Sequence, residues 1–105
     1  AEVELAAVPL LSGARRLAAD KVVPGGTERN LVSAERFTRF CAVDRTDRLL
    51  LADAHTSGGL LIAIPAPLVR ATLQALEEEG ESGAVIGRIV ERDFADGPAG
   101  AVAVV

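Results

Sequence analysis

Leu51-Ala52-Asp53-Ala54-His55-Thr56-Ser57-Gly58-Gly59-Leu60-Leu61-Ile62-Ala63-Ile64-Pro65 is the stretch on which the reading of the fold turns. A short apolar helical pattern enters it, and a continuous apolar run, residues 60–64, leaves it. Such a run reads as a strand buried on both faces. Between the two lies a compact polar turn that holds the chain's only histidine. Hydroxyls and glycines gathered before a core strand mark a place where backbone approaches something closely. Helix, turn and strand in immediate succession point to helices layered on a sheet.

The remainder of the chain repeats that alternation. Upstream, Glu2-Val3-Glu4-Leu5 alternates polar and apolar residues as a half-buried strand does. Pro9 is expected to open a helix in which Leu10, Leu11, Ala14, Leu17 and Ala18 form the apolar stripe. Arg15, Arg16 and Lys21 read as its solvated face. Pro24-Gly25-Gly26 is a turn signal, and Thr27 is expected to cap the following segment with Glu28 in its first turn. Residues 37–41 alternate again as a short strand, and Asp44 is the expected N-cap of a helix through Leu49, Leu50 and Leu51. Downstream, Pro65-Ala66-Pro67 introduces the clearest helix, with a stripe of Val69, Leu73 and Leu76 and Gly80 at its end. Residues 84–90 read as a second core strand, Asp96-Gly97-Pro98 as a turn and residues 101–105 as the last strand. The class is therefore α/β (α+β), a mixed β-sheet layered with helices in a single domain over residues 1–105.

Composition bounds the function. A chain of 105 residues, 50% apolar, holds one core. Aromatics are only Phe37, Phe40 and Phe94, so that core is aliphatic. A net charge of −4 without a dense basic stretch argues against nucleic acid as a partner. No apolar run approaches the roughly 20 residues that span a bilayer, and the opening residues lack the pattern of a signal peptide. A single cysteine forms no internal disulfide, which suits a cytoplasmic setting. One cysteine and one histidine do not make a structural zinc site. The chain opens on Ala1 without a methionine, and a domain excised from a longer protein is the expectation.

Individual motifs leave the chemistry open. Thr56-Ser57-Gly58-Gly59 can cradle an anion through backbone N–H groups. It is not a P-loop, because the strand follows the glycines instead of preceding them and no lysine-bearing helix comes after. Taken alone, such a turn is more often a structural cap and bulge. His55 can donate to a phosphate, yet nothing at a recognisable spacing completes a triad with it. Gly25-Gly26-Thr27 before a helix start suits an anion and equally a tight turn with an N-cap. Cys41, in an alternating strand, reads as a small buried hydrophobe. The residues supply no nucleophile, base or metal cluster.

At its two glycine loops the chain resembles the C-terminal domain of selenophosphate synthetase (selenide, water dikinase), within the aminoimidazole ribonucleotide synthetase superfamily. A family segment like Asp-Pro-Gln-Thr-Ser-Gly-Gly-Leu-Leu reads here as Asp53-Ala54-His55-Thr56-Ser57-Gly58-Gly59-Leu60-Leu61. A Pro-Gly-Gly-Thr…Asn segment is matched by Pro24-Gly25-Gly26-Thr27 and Asn30. The start at residues 8–14 and Ala84-Val85-Ile86-Gly87 follow in the same order. The resemblance implies an ATP-dependent phosphotransferase that makes selenophosphate from ATP, selenide and water, releasing AMP and phosphate with magnesium. It implies an N-terminal ATP-binding domain as partner, a homodimeric parent and no nucleic-acid or membrane partner. Substrate contacts fall to His55, Thr56, Ser57, Gly58, Gly59, Gly25, Gly26, Thr27 and Asn30, through backbone N–H groups more than through side chains. Ala54 and His55 replace the family's Pro-Gln pair. The family's catalytic Cys or selenocysteine, its Lys and its metal-binding aspartates lie upstream of this segment, and Cys41 does not correspond to that cysteine. The fragment alone is therefore expected to be inactive and to bind neither ATP nor Mg2+. Another ATP-using member of the superfamily and a stand-alone binding or regulatory module are the alternative readings.

Overall fold

The computed structural model describes residues 1–55, 58–91 and 101–105. Four short strands form one mixed sheet in the order β2-β4-β1-β3: β1 (Glu2–Val3), β2 (Thr38–Phe40), β3 (Gly87–Arg88) and β4 (Val102–Val104). β4 runs parallel to both β1 and β2, with Glu2 opposite Ala103 and Arg39 also opposite Ala103, and β3 runs antiparallel to β1. The chain's last residues thus sit inside the sheet, fixed on one side by Val105 N–H to Val3 O (3.0 Å) and on the other by Cys41 N–H to Val104 O (2.8 Å). β3 is held to the edge by its register. Gly87 lies opposite Val3, where an added Cβ would fall on the Glu2 carbonyl oxygen, and Arg88 reaches Glu2 Oε1 at 2.8 Å.

Among the described residues four α-helices accompany the sheet: α1 (Ala14–Ala19), α2 (Gly25–Ala34), α3 (Arg45–Leu51) and α4 (Val69–Glu78). α3 packs against both α1 and α2. The buried apolar side chains among the described residues are Ala18, Leu31 and Leu49 of these helices, Val104 of β4 and Val43 from the segment between β2 and α3. Asp44 caps α3 as the sequence indicates, its carboxylate accepting from Asp47 N–H at 2.9 Å. Buried Asp47 pairs with Arg15 of α1, which also reaches Asp44 at 3.1 Å, so Arg15 ties two helices together and is not merely solvated. Arg48 lies over the Phe40 ring, 4.9 Å from its centroid, and donates to Val43 O, joining α3 to the end of β2.

Several expectations from the sequence are corrected. Pro9 does not open a helix: α1 begins at Ala14 behind Gly13, whose φ of +83° places it in the left-handed region, and Leu10 and Leu11 stay exposed outside it. Lys21 lies beyond α1 at φ +63°. The Pro24-Gly25-Gly26 segment is a helix start, not a turn before one, so Thr27 is the third residue of α2 and not its cap. Cys41 is exposed. Residues 60–64 form no strand, and Leu60, Leu61 and Ile62 are exposed at 90%, 84% and 52%. Of residues 84–90 only Gly87 and Arg88 are strand, with Ile86 O accepting from Glu4 N–H at 2.8 Å, while Val85, Ile89 and Val90 are exposed. α4 forms where expected, entered through a 3-10 turn at Ala66–Leu68 and closed by Gly80 at φ +78°. The Asp96-Gly97-Pro98 turn lies outside the described residues.

Candidate functional site

The site is built where α2 begins and α3 ends. Gly25 and Gly26 give α2 a first turn without side chains, and this lets the turn lie against the segment leaving α3. A Cβ on Gly26 would stand 3.2 Å from the Ala54 Cβ, so the two backbones are as close as side chains allow. Pro24 occupies the N-cap position and offers no capping side chain, and the Thr27 N–H bonds Pro24 O at 3.0 Å. The remaining first-turn N–H groups have no acceptor within the helix.

Two side chains of α2 lock this approach. Thr27 is fully buried at 0% exposure, and its hydroxyl donates to Asp53 Oδ1 at 2.8 Å. This contact explains why a threonine stands at the third helical position. Its β-branch is indifferent for the helix, but its hydroxyl reaches across to the neighbouring loop. One turn later Asn30 Nδ2 donates to Ala52 O at 3.2 Å, taking up a carbonyl at the end of α3. Asp53 continues from that end, its own N–H bonded to Leu50 O at 3.3 Å.

The loop beyond carries His55, whose side chain is 63% exposed and whose Nε2 lies 3.4 Å from Asp53 Oδ2. Gly58 packs on the other side of the ring: a Cβ there would lie 3.1 Å from both the Cβ and Nδ1 of His55. Gly25 and Gly59 have open space where a Cβ would stand. A side chain at Gly26 or Gly58 would therefore crowd Ala54 or His55, which would have to give by a few tenths of an ångström, whereas Gly25 and Gly59 leave backbone accessible. Thr56 and Ser57 lie outside the described residues.

The structure thus brings together Gly26, Thr27 and Asn30, from the start of α2, with His55 and Gly58, from the segment after α3. Sequence reasoning missed Asp53 as the residue joining them. The available signal was its position, two residues before the only histidine and directly after a helix end. The assembled donors, helix-start N–H groups with glycine backbone and an imidazole, suit an anion. Two surface depressions lie elsewhere, one along α4 (Arg70, Leu73, Gln74, Glu77, Glu78) and one beside Arg15 and Asp47. Neither includes a residue of these loops. Among the described residues no group of three or more His, Cys, Asp or Glu side chains could hold a metal ion. Nor is any helix among them long and apolar enough to cross a membrane.

No family model matches the chain. Its relatives are nevertheless consistent. It is 40% identical over 90 residues to a selenide, water dikinase of Myxococcus xanthus, covering 85% of this chain and 26% of the relative. It is 44% identical over 93 residues to the enzyme of that name from Pseudomonas aeruginosa, covering 88% and 26%. Against the Bordetella bronchiseptica protein it is 40% identical over 96 residues, covering 90% and 27%. The chain is related to selenide, water dikinases over most of its own length, and it spans about a quarter of the length of these relatives.

Proposed function

We propose that this chain is the C-terminal domain of a selenide, water dikinase, an enzyme that makes selenophosphate from ATP, selenide and water with release of AMP and phosphate. The observation that carries the reading is the 40% identity across 85% of the chain with an enzyme of that name. The geometry supports it. The two glycine loops that carry the resemblance lie far apart in sequence and yet meet through Thr27, Asn30 and Asp53. In the parent, their backbone N–H groups and His55 close one side of the site over an anionic phosphoryl group. Fixed backbone donors stabilise such charge without reorganising. The chain's part is to bind and orient. The nucleophile and the magnesium ligands are assigned to the rest of the parent.

Assaying the full-length parent for AMP release from ATP, with and without selenide, tests the assignment. Selenide-dependent AMP is the expected result. ATP turnover indifferent to selenide would instead favour another ATP-using member of the superfamily, as the Ala54-His55 pair in place of Pro-Gln leaves open. In the same assay Gly58→Val drives a side chain into His55 and is expected to lower turnover at least roughly tenfold. Unchanged turnover with a native fold removes this loop from the mechanism.

A further inference from the structure

Burial divides the chain unevenly. The buried side chains among the described residues all lie at or before Leu49, except Val104 in the sheet. Between Gly58 and Glu91 not one is buried. Yet this segment holds residues 60–64, which are apolar at every position. A run apolar at every position suits a strand covered on both faces. Here its backbone makes no hydrogen bond to another described residue, and Leu60, Leu61 and Ile62 are exposed.

The rest of the segment repeats the pattern. No residue of α4 is buried. Leu73 and Leu76 are covered only in part, by the chain returning at Gly83, where a Cβ would stand 2.7 Å from Leu73 Cδ2. The opposite side of α4 holds Gln74 and Glu78, bonded to each other at 2.9 Å. A helix of this amphipathic kind lays its apolar stripe on a core. β3 is the outermost described strand on its side of the sheet, and exposed Val85, Ile89 and Val90 flank it there.

The area involved indicates the kind of neighbour. The chain exposes 8066 Å2, roughly 2,500 Å2 more than a compact monomer of its mass. One partner in a standard interface gives up about 800 Å2, whereas permanent interfaces are larger and more apolar, like a core cut in two. A surplus of the permanent size belongs against a lasting neighbour, and a segment joined to the same polypeptide is one at every concentration. The relatives have room for it, since this chain spans 26% of the Myxococcus xanthus protein. We infer that residues 58–90 are one side of a core whose other side is supplied by the preceding chain of the parent, and that residues 60–64 are buried there. The inference rests on the reading of this chain as the C-terminal part of a longer dikinase.

Hydrogen exchange in the full-length parent, read by mass spectrometry on peptides covering residues 60–64, tests it. Those amides are expected to exchange at least about 100-fold more slowly than in an unstructured peptide of the same sequence. In the dilute 105-residue chain they are expected to exchange near the peptide rate, while the Cys41 and Val105 amides, bonded inside the sheet at 2.8 and 3.0 Å, stay protected. Peptide-like exchange of residues 60–64 in the parent overturns the proposal. So does equal protection in the parent and in the dilute chain, which would mean that the chain covers the run by itself. Protection in the parent that fades on dilution assigns the face to a second copy and overturns the preceding chain as its occupant. A parent that protects residues 60–64 without selenide-dependent AMP release overturns the dikinase reading and leaves the interface standing.

Discussion

Thr27 carries more of the structure than its place in a helix implies. It is wholly buried, its hydroxyl is bonded to a carboxylate, and it holds α2 against the segment leaving α3. Thr27→Val keeps the shape and removes only the donor. Hydrogen bonds to charged groups contribute about 1.5–3 kcal/mol net. The Asp53 side chain is one-third exposed, so water recovers part of the loss, and a destabilisation of about 1–2 kcal/mol is expected. Chemical denaturation measures it. In an Asp53→Ala background the same substitution should cost much less, because the two residues form one interaction. Additive losses would mean that the pair is not coupled. Neither partner announces this in the sequence: threonine before a helix suggests a cap, and the cap position is taken by Pro24. Glycines gathered before residues 60–64 suggest a close approach, and the structure has one at Gly58 but leaves Gly59 open.

Helix ends offer a second test, since the same closure occurs twice with different residues. After α4, Gly80 N–H bonds Glu77 O at 3.0 Å and Glu81 N–H bonds Leu76 O at 2.9 Å, with Gly80 in the left-handed region. After α1, Lys21 N–H bonds Ala18 O at 3.0 Å and Val22 N–H bonds Leu17 O at 2.8 Å, with Lys21 at φ +63°. Both are Schellman closures, in which glycine is the favoured residue. A non-glycine residue in the left-handed region costs roughly 1–2 kcal/mol, partly offset by the lower entropy of its unfolded chain. Lys21→Gly is therefore expected to stabilise the chain by about 0.5–1 kcal/mol. A rise in melting temperature checks this, and a fall would mean that the lysine side chain contributes more than its backbone costs. The Gly80 stop was legible because glycine is its usual signal. The Lys21 stop was not, and at the other end of α1 the left-handed Gly13 that separates Pro9, Leu10 and Leu11 from the helix was equally unmarked. α3, with its carboxylate cap, and α4, with prolines in its entry, were placed correctly, as were the cores of β1, β2 and β4. Residues 60–64 and 84–90 carry the right composition for strands, but an apolar run signals burial without naming what it is buried against.

That distinction governs the whole molecule. Its accessible surface is 8066 Å2, against roughly 5,600 Å2 for a compact folded monomer of this mass. Its radius of gyration is 15.0 Å, against roughly 13 Å for a compact chain of 105 residues. The surplus includes large apolar side chains from the segments whose strand patterns lack partners: Leu60, Leu61, Ile62, Val85, Ile89 and Val90. Exposed side chains of this size favour association with other apolar surface. The chain spans about a quarter of the length of the relatives it matches, and the proposed parent supplies further protein to cover such a face. For the isolated chain the consequence is self-association that rises with concentration, readable by sedimentation velocity. Leu61, at 84% exposure, makes the sharpest test. Leu61→Glu places a charge on the exposed run and is expected to suppress that association. Because the side chain is barely buried, the unfolding free energy should stay within about 0.5 kcal/mol of the unmodified chain. If Leu61→Glu instead lowers the stability by several kcal/mol, the Leu61 side chain is buried in solution and the exposure of this run is overturned.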